Sequence, residues 1–220
     1  MASSRKGKPR ATDGSGALFT HDLGLDCDLV AGADEAGRGC LAGPIVAAAV
    51  LLDRACLESE GNGRLSGIGD SKKLTAKARE RLYPEVLTCA VRVVVVMRSA
   101  RYIDAHGLHV SNIECLAKAI EGLGAGPEAV TLVDGFALKD CQVPHRKLVK
   151  GDNTSAAVAA ASVIAKVTRD RCMARAGIQY EGYGFEGHKG YASPGHRDAI
   201  RLLGPSPIHR LSFDSDAYAA

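Results

Sequence analysis

Apolar residues in this chain gather into short dense runs separated by Gly-, Ser- and charge-rich stretches, and the spacing inside each run predicts its element. Leu29-Val30-Ala31-Gly32-Ala33 reads as a short buried strand running into Asp34-Glu35, and Ile45–Leu52 as a second strand after a loop holding Gly37, Gly39, Gly43 and Pro44. Glu58–Asp70 reads as a surface connection. Thr75–Leu87 has helical spacing, with Pro84 expected to kink it or end its first part. Ala90–Met97 is β-branched and dense, a strand. In Ser111–Leu123, Ile113, Leu116, Ala117, Ile120 and Leu123 share one helical face. Ala129–Val133 is a short strand stopping at Asp134-Gly135, and Lys147-Leu148-Val149 another ending at Lys150-Gly151-Asp152. Ser155–Ala176 predicts a long helix, Ala-rich and apolar through Ile164 and charged beyond it. From Tyr180 the chain is rich in Gly, Tyr, His and Pro, with one helical piece around His196–Leu203. Strands alternating with helices and no internal repeat predict a single α/β domain.

Composition narrows this picture. The chain has 220 residues, 46% apolar and 24% charged, which excludes wholesale disorder and collagen-like repeats. No apolar run reaches the roughly 18 residues a membrane span needs; the longest, Leu41–Leu52, is broken by Gly43-Pro44, so no membrane partner is expected. The net charge of +3 invites a nucleic-acid reading, but its location matters more than its size. Arg5, Lys6, Lys8 and Arg10 against Asp13 put all of it in the first 20 residues, and the rest sums to zero. We therefore expect a flexible basic tail over residues 1–25 and the functional domain over 26–220. Seven cysteines, no two closer than 13 positions, lack zinc spacing and do not form a secreted disulfide pattern. Free thiols in a reducing cytoplasm are the expectation.

Three acidic sites lie at the ends of apolar strands or just past them: Asp34-Glu35, Asp134 and Asp152. A single Asp after a strand is usually a turn or a helix cap, and Asp152 could simply lead into the helix behind Asn153-Thr154-Ser155. Three such sites in one domain point instead to a divalent cation, since partly desolvated carboxylates repel unless something neutralises them. Hard oxygen ligands select Mg²⁺ or Mn²⁺ over zinc, and two such ions about 4 Å apart can drive phosphodiester cleavage. Asp170 fails as a ligand, being roughly 27 Å along a helix opened by Asp152; it reads as part of a surface charge set with Arg169 and Arg171.

Other residues suit phosphate and sugar. Gly37-Arg38-Gly39 lets backbone approach a ligand closely while Arg38 offers a planar fork. It does not fit a dinucleotide fingerprint, because Gly37 to Gly43 has one residue too many and a strand follows. Asp70-Ser71-Lys72-Lys73-Leu74 places a hydroxyl and two ammoniums ahead of a helix, readable as a phosphate clamp or a solvated helix start. Tyr180–Tyr191 interleaves aromatics, glycines and cations, so its rings either stack on bases or sugars or pack the loop itself. His106 and His109 read as surface residues.

Taken together these segments resemble ribonuclease HII. The resemblance is carried by Gly32-Ala-Asp34-Glu35-Ala-Gly37-Arg38-Gly39, Gly43-Pro44, Asp70–Leu74, Val133-Asp134-Gly135 and Lys150-Gly151-Asp152. It continues through Ala160–Asp170, Tyr183-Gly184-Phe185, His188–Tyr191, His196 and His209–Phe213, in order across residues 28–213. It implies an RNase H-like α/β fold, a mixed central sheet flanked by helices with a helical C-terminal extension. It implies endonucleolytic cleavage of RNA in RNA–DNA hybrids and of single ribonucleotides embedded in duplex DNA, cut on the 5′ side to leave 3′-hydroxyl and 5′-phosphate ends. The implied cofactor is Mn²⁺ or Mg²⁺, held by Asp34, Glu35, Asp134 and Asp152; Gly37, Arg38, Gly39 and Tyr191 are implied to read the 2′-hydroxyl. Ala192-Ser193 depart from the Gly-Thr common in the family after this tyrosine, which bears on local loop geometry.

The expected chemistry is two-metal hydrolysis, with Arg38, Ser71, Lys72 and Lys73 positioning phosphates of the hybrid or duplex, in a protein expected to be a monomer. A metal-dependent phosphatase for small molecules would use similar acids without Tyr191. A non-catalytic hybrid-binding module would not need all four acids. Within the neutral body those four contribute −4, so the remainder carries +4.

Overall fold

In the computed structural model, which describes residues 15–61 and 63–218, Leu29–Ala36 forms the central strand β1. Beside it lies β2 (Ile45–Asp53), antiparallel, with Gly32 opposite Val50 and Asp34 opposite Ala48. On the other side β4 (Ala129–Asp134) runs parallel to β1, Ala33 opposite Val133. The edges are β3 (Arg92–Arg98), antiparallel to β2, and the three-residue β5 (Arg146–Leu148), parallel to β4. The order β3-β2-β1-β4-β5 makes the mixed sheet of an α/β fold.

The strict period of two along β2 divides its side chains between two cores. Ile45, Ala47, Ala49 and Leu51 face α5 (Leu108–Leu123), whose Cys115, Leu116, Ala119, Ile120 and Leu123 are buried at helical spacing together with Ile103 of α4 (Ala100–His106). Ala48, Val50 and Leu52 face the opposite layer of α1 (Gly16–Leu23), α2 (Arg54–Glu60), α3 (Ala76–Cys89) and α6 (Ala156–Gln179). The Ala-rich first half of α6 lies so close to β1 that a Cβ added to Gly32 would stand 2.1 Å from the carbonyl carbon of Ala157. Only small side chains allow that approach. Beyond α6, two further helices, α7 (Phe185–His188) and α8 (Pro194–Leu203), supply the helical C-terminal extension.

Four expectations need correction. The tail reading fails over residues 16–23, which are helical: Leu18 and Phe19 enter the core, and Asp22 is buried. Oδ2 of Asp22 accepts hydrogen bonds from Ser155 Oγ and Ala157 N, both at 2.9 Å, so this carboxylate caps α6, where the helix dipole favours negative charge. The tail's basic residues Arg5, Lys6, Lys8 and Arg10 lie outside the described residues. Pro84 does not end α3, which continues to Cys89 because Leu82 and Val86 are anchored in the core on either side of the lost backbone bond. The supposed surface connection Glu58–Asp70 starts inside α2, opened by Asp53 accepting from Cys56 N at 2.7 Å, and buries Leu65 and Ile68. Finally, Arg169 is fully buried and belongs to no surface set; Asp170 pairs instead with Lys166 at 2.7 Å and Arg79 at 3.7 Å. No helix among the described residues is long and apolar enough to cross a membrane, and the seven cysteines are free thiols.

Candidate active site

Two adjacent parallel strands carry an acid near their C-terminal ends, Asp134 as the last residue of β4 and Asp34 two residues before the end of β1. Register places Ala33 beside Val133, so Asp34 and Asp134 are the next positions of β1 and β4 on the same sheet end. From β5 the chain turns through Lys150, held at φ 57°, into a short 3₁₀ turn that carries Asp152 to the mouth of α6. Asp134 fixes that turn by accepting from Gly151 N at 2.6 Å. Asp34 and Asp152 are buried, while Asp134 and Glu35 are partly buried.

The four carboxylates feel one another. Burial raises Asp34 from the ordinary 3.8 to about 7, with Asp134 adding repulsion and hydrogen bonds from Ser162 and Glu35 N acting against it. Burial, then the charges of Asp34 and Asp134, lifts Glu35 from 4.5 to about 8 despite Arg38. Asp152 is likewise raised by burial and by Asp70 and Asp134. Lys72 is the countercharge: burial opposes its ionisation, but Asp34, Asp152, Asp70 and Glu35 together hold its pKa above the usual value.

Ser71, Lys72 and Lys73 reach the site on a loop clamped from below. Arg79 donates to Ser71 O at 2.7 Å and Leu74 O at 2.6 Å; Asp70 accepts from Lys72 N at 2.9 Å. Ser71 is buried and hydrogen-bonded to the Ser162 hydroxyl at 2.8 Å, which places it behind Asp34 and not on the surface. Lys73 is exposed and donates to Asn153 Oδ1 at 2.8 Å, next to Asp152. Of this trio, only the lysines are free to meet a phosphate.

Gly37, Arg38 and Gly39 follow β1 directly. Gly37 needs its glycine: φ is 97°, and a Cβ there would lie 2.0 Å from Arg169 Nε. Arg38 and Gly39 are exposed, with the guanidinium over the Phe136 ring at 4.7 Å and 3.7 Å from Glu35. Cys40 forms a bridge with Tyr191, so this turn and Tyr191 lie side by side. Tyr191 is 42% exposed, whereas Phe185 is fully buried and stacked on Tyr183 at 5.3 Å; most of the aromatic stretch thus packs its own loop and leaves one ring open. Lys166 Nζ lies 5.5 Å from the Tyr191 centroid. Ser162 and Lys166 are four residues, about 6 Å, apart on the same face of α6, so that face runs from the Asp34 side of the site toward Tyr191.

Among the described residues no three His, Cys, Asp or Glu side chains close into a ready-made metal cage. The donors nevertheless suit a hard divalent cation. All four are carboxylates at two adjacent strand ends and a helix mouth, and Glu35 Oε2 is buried without a hydrogen-bond partner. Mg²⁺ and Mn²⁺ sites characteristically take few carboxylates and complete their shell with water and substrate phosphate. Asp34, Glu35, Asp134 and Asp152 are the residues that could hold such ions.

This electrostatic arrangement carries a pH signature. The folded metal-free protein retains protons on Asp34 and Glu35 that the unfolded chain has released, so its stability should fall as pH rises through 7 to 8. Melts in EDTA at pH 6.5 and 8.5 should show that fall, smaller in Asp34→Asn/Glu35→Gln, and added Mn²⁺ should reverse it most strongly at pH 8.5. An EDTA melting temperature that changes equally in both proteins would remove the assignment. The buried histidines act in the opposite sense: burial lowers His196 to about 4 and lowers His209 as well, so both stay neutral in the fold while the unfolded chain sheds its protons near 6.5, a contribution that is the same in parent and variant.

Sequence reasoning gave no role to Ser162, Lys166, Arg169 and Arg210, although the first three stand in the Ala160–Asp170 segment. Ser162 meets Ser71 across 91 residues, Arg169 meets Pro44 and Ala42 across 125 and 127, and Arg210 meets Gly43 and Arg38 across 167 and 172, separations that spacing alone does not register.

The family model for ribonuclease HII matches residues 31–216. A "Ribonuclease HII" of Salinispora arenicola is 48% identical over 185 residues, covering 84% of this chain and 66% of the relative, so this chain spans just under two thirds of that protein. One from Mycobacterium avium is 46% identical over 197 residues, 90% of this chain and 81% of that one. Among solved structures, a chain of the PCNA:RNase HII complex from Archaeoglobus fulgidus superposes with a TM-score of 0.71 at 29% identity, covering 85% of this chain and 96% of that one.

Proposed function

The chain belongs to the ribonuclease HII family, and from that premise we propose that it is an endoribonuclease acting on RNA–DNA hybrids and on duplex DNA with an embedded single ribonucleotide. The observation that carries the reading is one surface with two halves: Lys72 set among Asp34, Glu35, Asp152 and Asp70 with Asp134 beside Asp34, and the Gly37-Arg38-Gly39 turn bridged to an exposed Tyr191. A small-molecule phosphatase would need the first half only.

Asp34, Glu35, Asp134 and Asp152 hold the divalent cations, Mn²⁺ or Mg²⁺. When bound, these ions supply Lewis-acid stabilisation of charge on the phosphodiester and activation of water for hydrolysis. Asp34 Oδ1 is kept in place by the bond from Glu35 N at 2.7 Å, with Ser162 beside the carboxylate favouring its charged form. Lys72 offsets the repulsion among the acids and stands ready to meet phosphate. Arg38 and Lys73 grip the backbone, a contact that carries no sequence information and weakens with salt. Tyr191 and the main chain of Gly37–Gly39 approach the sugar, where the 2′-hydroxyl distinguishes RNA from DNA. The seven free thiols suit the cytoplasm.

A denaturing gel with a DNA duplex carrying one ribonucleotide tests the reading. In Mg²⁺ or Mn²⁺ the strand should be nicked 5′ of the ribonucleotide, leaving a 3′-hydroxyl; in EDTA it should stay whole. Intact duplex under every condition, or equal cutting of an all-DNA control, would remove it.

A further inference from the structure

Two arginines, Arg169 and Arg210, are fully exposed to nothing but protein, and both donate to main-chain carbonyls in place of carboxylates. Arg169 Nε donates to Pro44 O at 3.0 Å, Nη1 to Lys189 O at 2.9 Å and Nη2 to Ala42 O at 3.0 Å. Arg210 Nε donates to Gly43 O at 3.0 Å and Nη1 to Arg38 O at 2.9 Å, leaving Nη2 buried without a partner. A buried guanidinium lacking a carboxylate is costly, and an apolar side chain of similar size would fill the space more cheaply. What an apolar residue could not do is tie several carbonyls on separate stretches of backbone at once.

Arg169 does this at a particular junction. It rises from α6 two turns past Ser162, the residue hydrogen-bonded to Asp34. Its guanidinium lies against Gly37, ties the Ala42–Pro44 backbone, and holds Lys189 O two residues before Tyr191. The two loops it joins also touch directly: Leu41 N donates to Gly190 O at 2.9 Å, and a Cβ on Gly190 (φ 83°) would stand 2.4 Å from Ala42 O. Tyr191's ring is 5.9 Å from the Arg169 guanidinium carbon.

Resting on the function proposed above, we infer that Arg169 is a positioning residue for ribose discrimination: it holds the Gly37–Gly39 turn and Tyr191 in one fixed relation, so that both address the same sugar. It touches no substrate itself. Lysine keeps the charge but lacks the planar fork, and one ammonium cannot hold three carbonyls on two loops.

Binding separates this role from general support of the fold. In an Asp34→Asn background with Mn²⁺, fluorescence anisotropy gives the affinity for a duplex with one ribonucleotide and for its all-DNA counterpart. Adding Arg169→Lys should narrow the ratio of the two by about tenfold, the scale of one lost well-placed hydrogen bond, while leaving all-DNA affinity within about twofold. Gly190→Ala, which pushes the same two loops apart from a different residue, should narrow it likewise and decides the matter if Arg169→Lys does not fold. Equal weakening toward both duplexes, or an unchanged ratio, overturns the inference while the function stands. A parent protein that nicks nothing and prefers neither duplex removes the function and this inference together.

Discussion

Asp34→Asn should abolish cleavage of the ribonucleotide-containing duplex, lowering turnover by about 10³-fold or more, while duplex affinity stays within a few-fold of the parent. Asparagine keeps the shape of the side chain, and its amide oxygen can still accept from Glu35 N, so this part of β1 need not move. What it loses is the charge that would hold a divalent cation, and with it the electrostatic stabilisation that dominates phosphodiester hydrolysis. A 10³-fold loss corresponds to about 4 kcal/mol of transition-state stabilisation, an ordinary contribution for a metal-holding group. Because the wild-type carboxylate is buried beside Asp134 and Glu35, the variant should also melt no lower than the parent in EDTA above pH 7. Near wild-type cutting at saturating Mn²⁺ would show that Asp34 is not the anchor.

Gly32→Ala should be the most damaging single methyl group in the body of the protein. The new Cβ would lie 2.1 Å from Ala157 C, 2.2 Å from Val158 N and 2.4 Å from Ala157 O. All three are backbone atoms of α6, so no side chain can swing aside; the helix itself must lift from β1. That lift would also disturb Ser155 and Ala157, where Asp22 caps the helix, and Asp152 immediately before it. A cost of about 3 kcal/mol or more follows from forced overpacking, which in a chain of this size lowers Tm by about 10 °C. A calorimetric Tm within 2 °C of the parent, a margin of about 1 kcal/mol, would show that β1 and α6 separate easily.

Much of the sheet was legible because burial writes a plain signal along it. Ile45–Leu52 is apolar on both faces since both faces are covered, and the apolar runs of β1 and β4 break into Asp34 and Asp134, although β1 itself continues to Ala36 beside β2. The four acids were readable for the same reason: a carboxylate at the end of a buried strand is out of place. Less visible was anything whose purpose depends on a distant partner. Gly16–Leu23 looks like the end of a polar tail until Asp22 meets Ser155, 133 residues away. Ser71 reads as a phosphate ligand beside two lysines, but its hydroxyl turns inward to Ser162. Arg169 reads as surface charge because it sits between Thr168 and Asp170, yet helical geometry turns it toward the loops while Asp170 faces Arg79. Pro84 misled in the opposite direction, as core contacts from Leu82 and Val86 outweigh a local propensity.

From Ala156 to Ala165 every residue of α6 is at most 2% exposed. Almost any enlargement within that decapeptide meets packed neighbours, and loss of a methyl opens a void. Yet apart from Ser162 its side chains are hydrocarbon, with no polar atom to offer the carboxylates. A survey of tolerated substitutions would therefore mark this stretch as nearly immutable, as strictly as the acids themselves. In this protein intolerance to change has two unrelated origins, and a mutational scan reading only survival would merge the helix with the chemistry it supports.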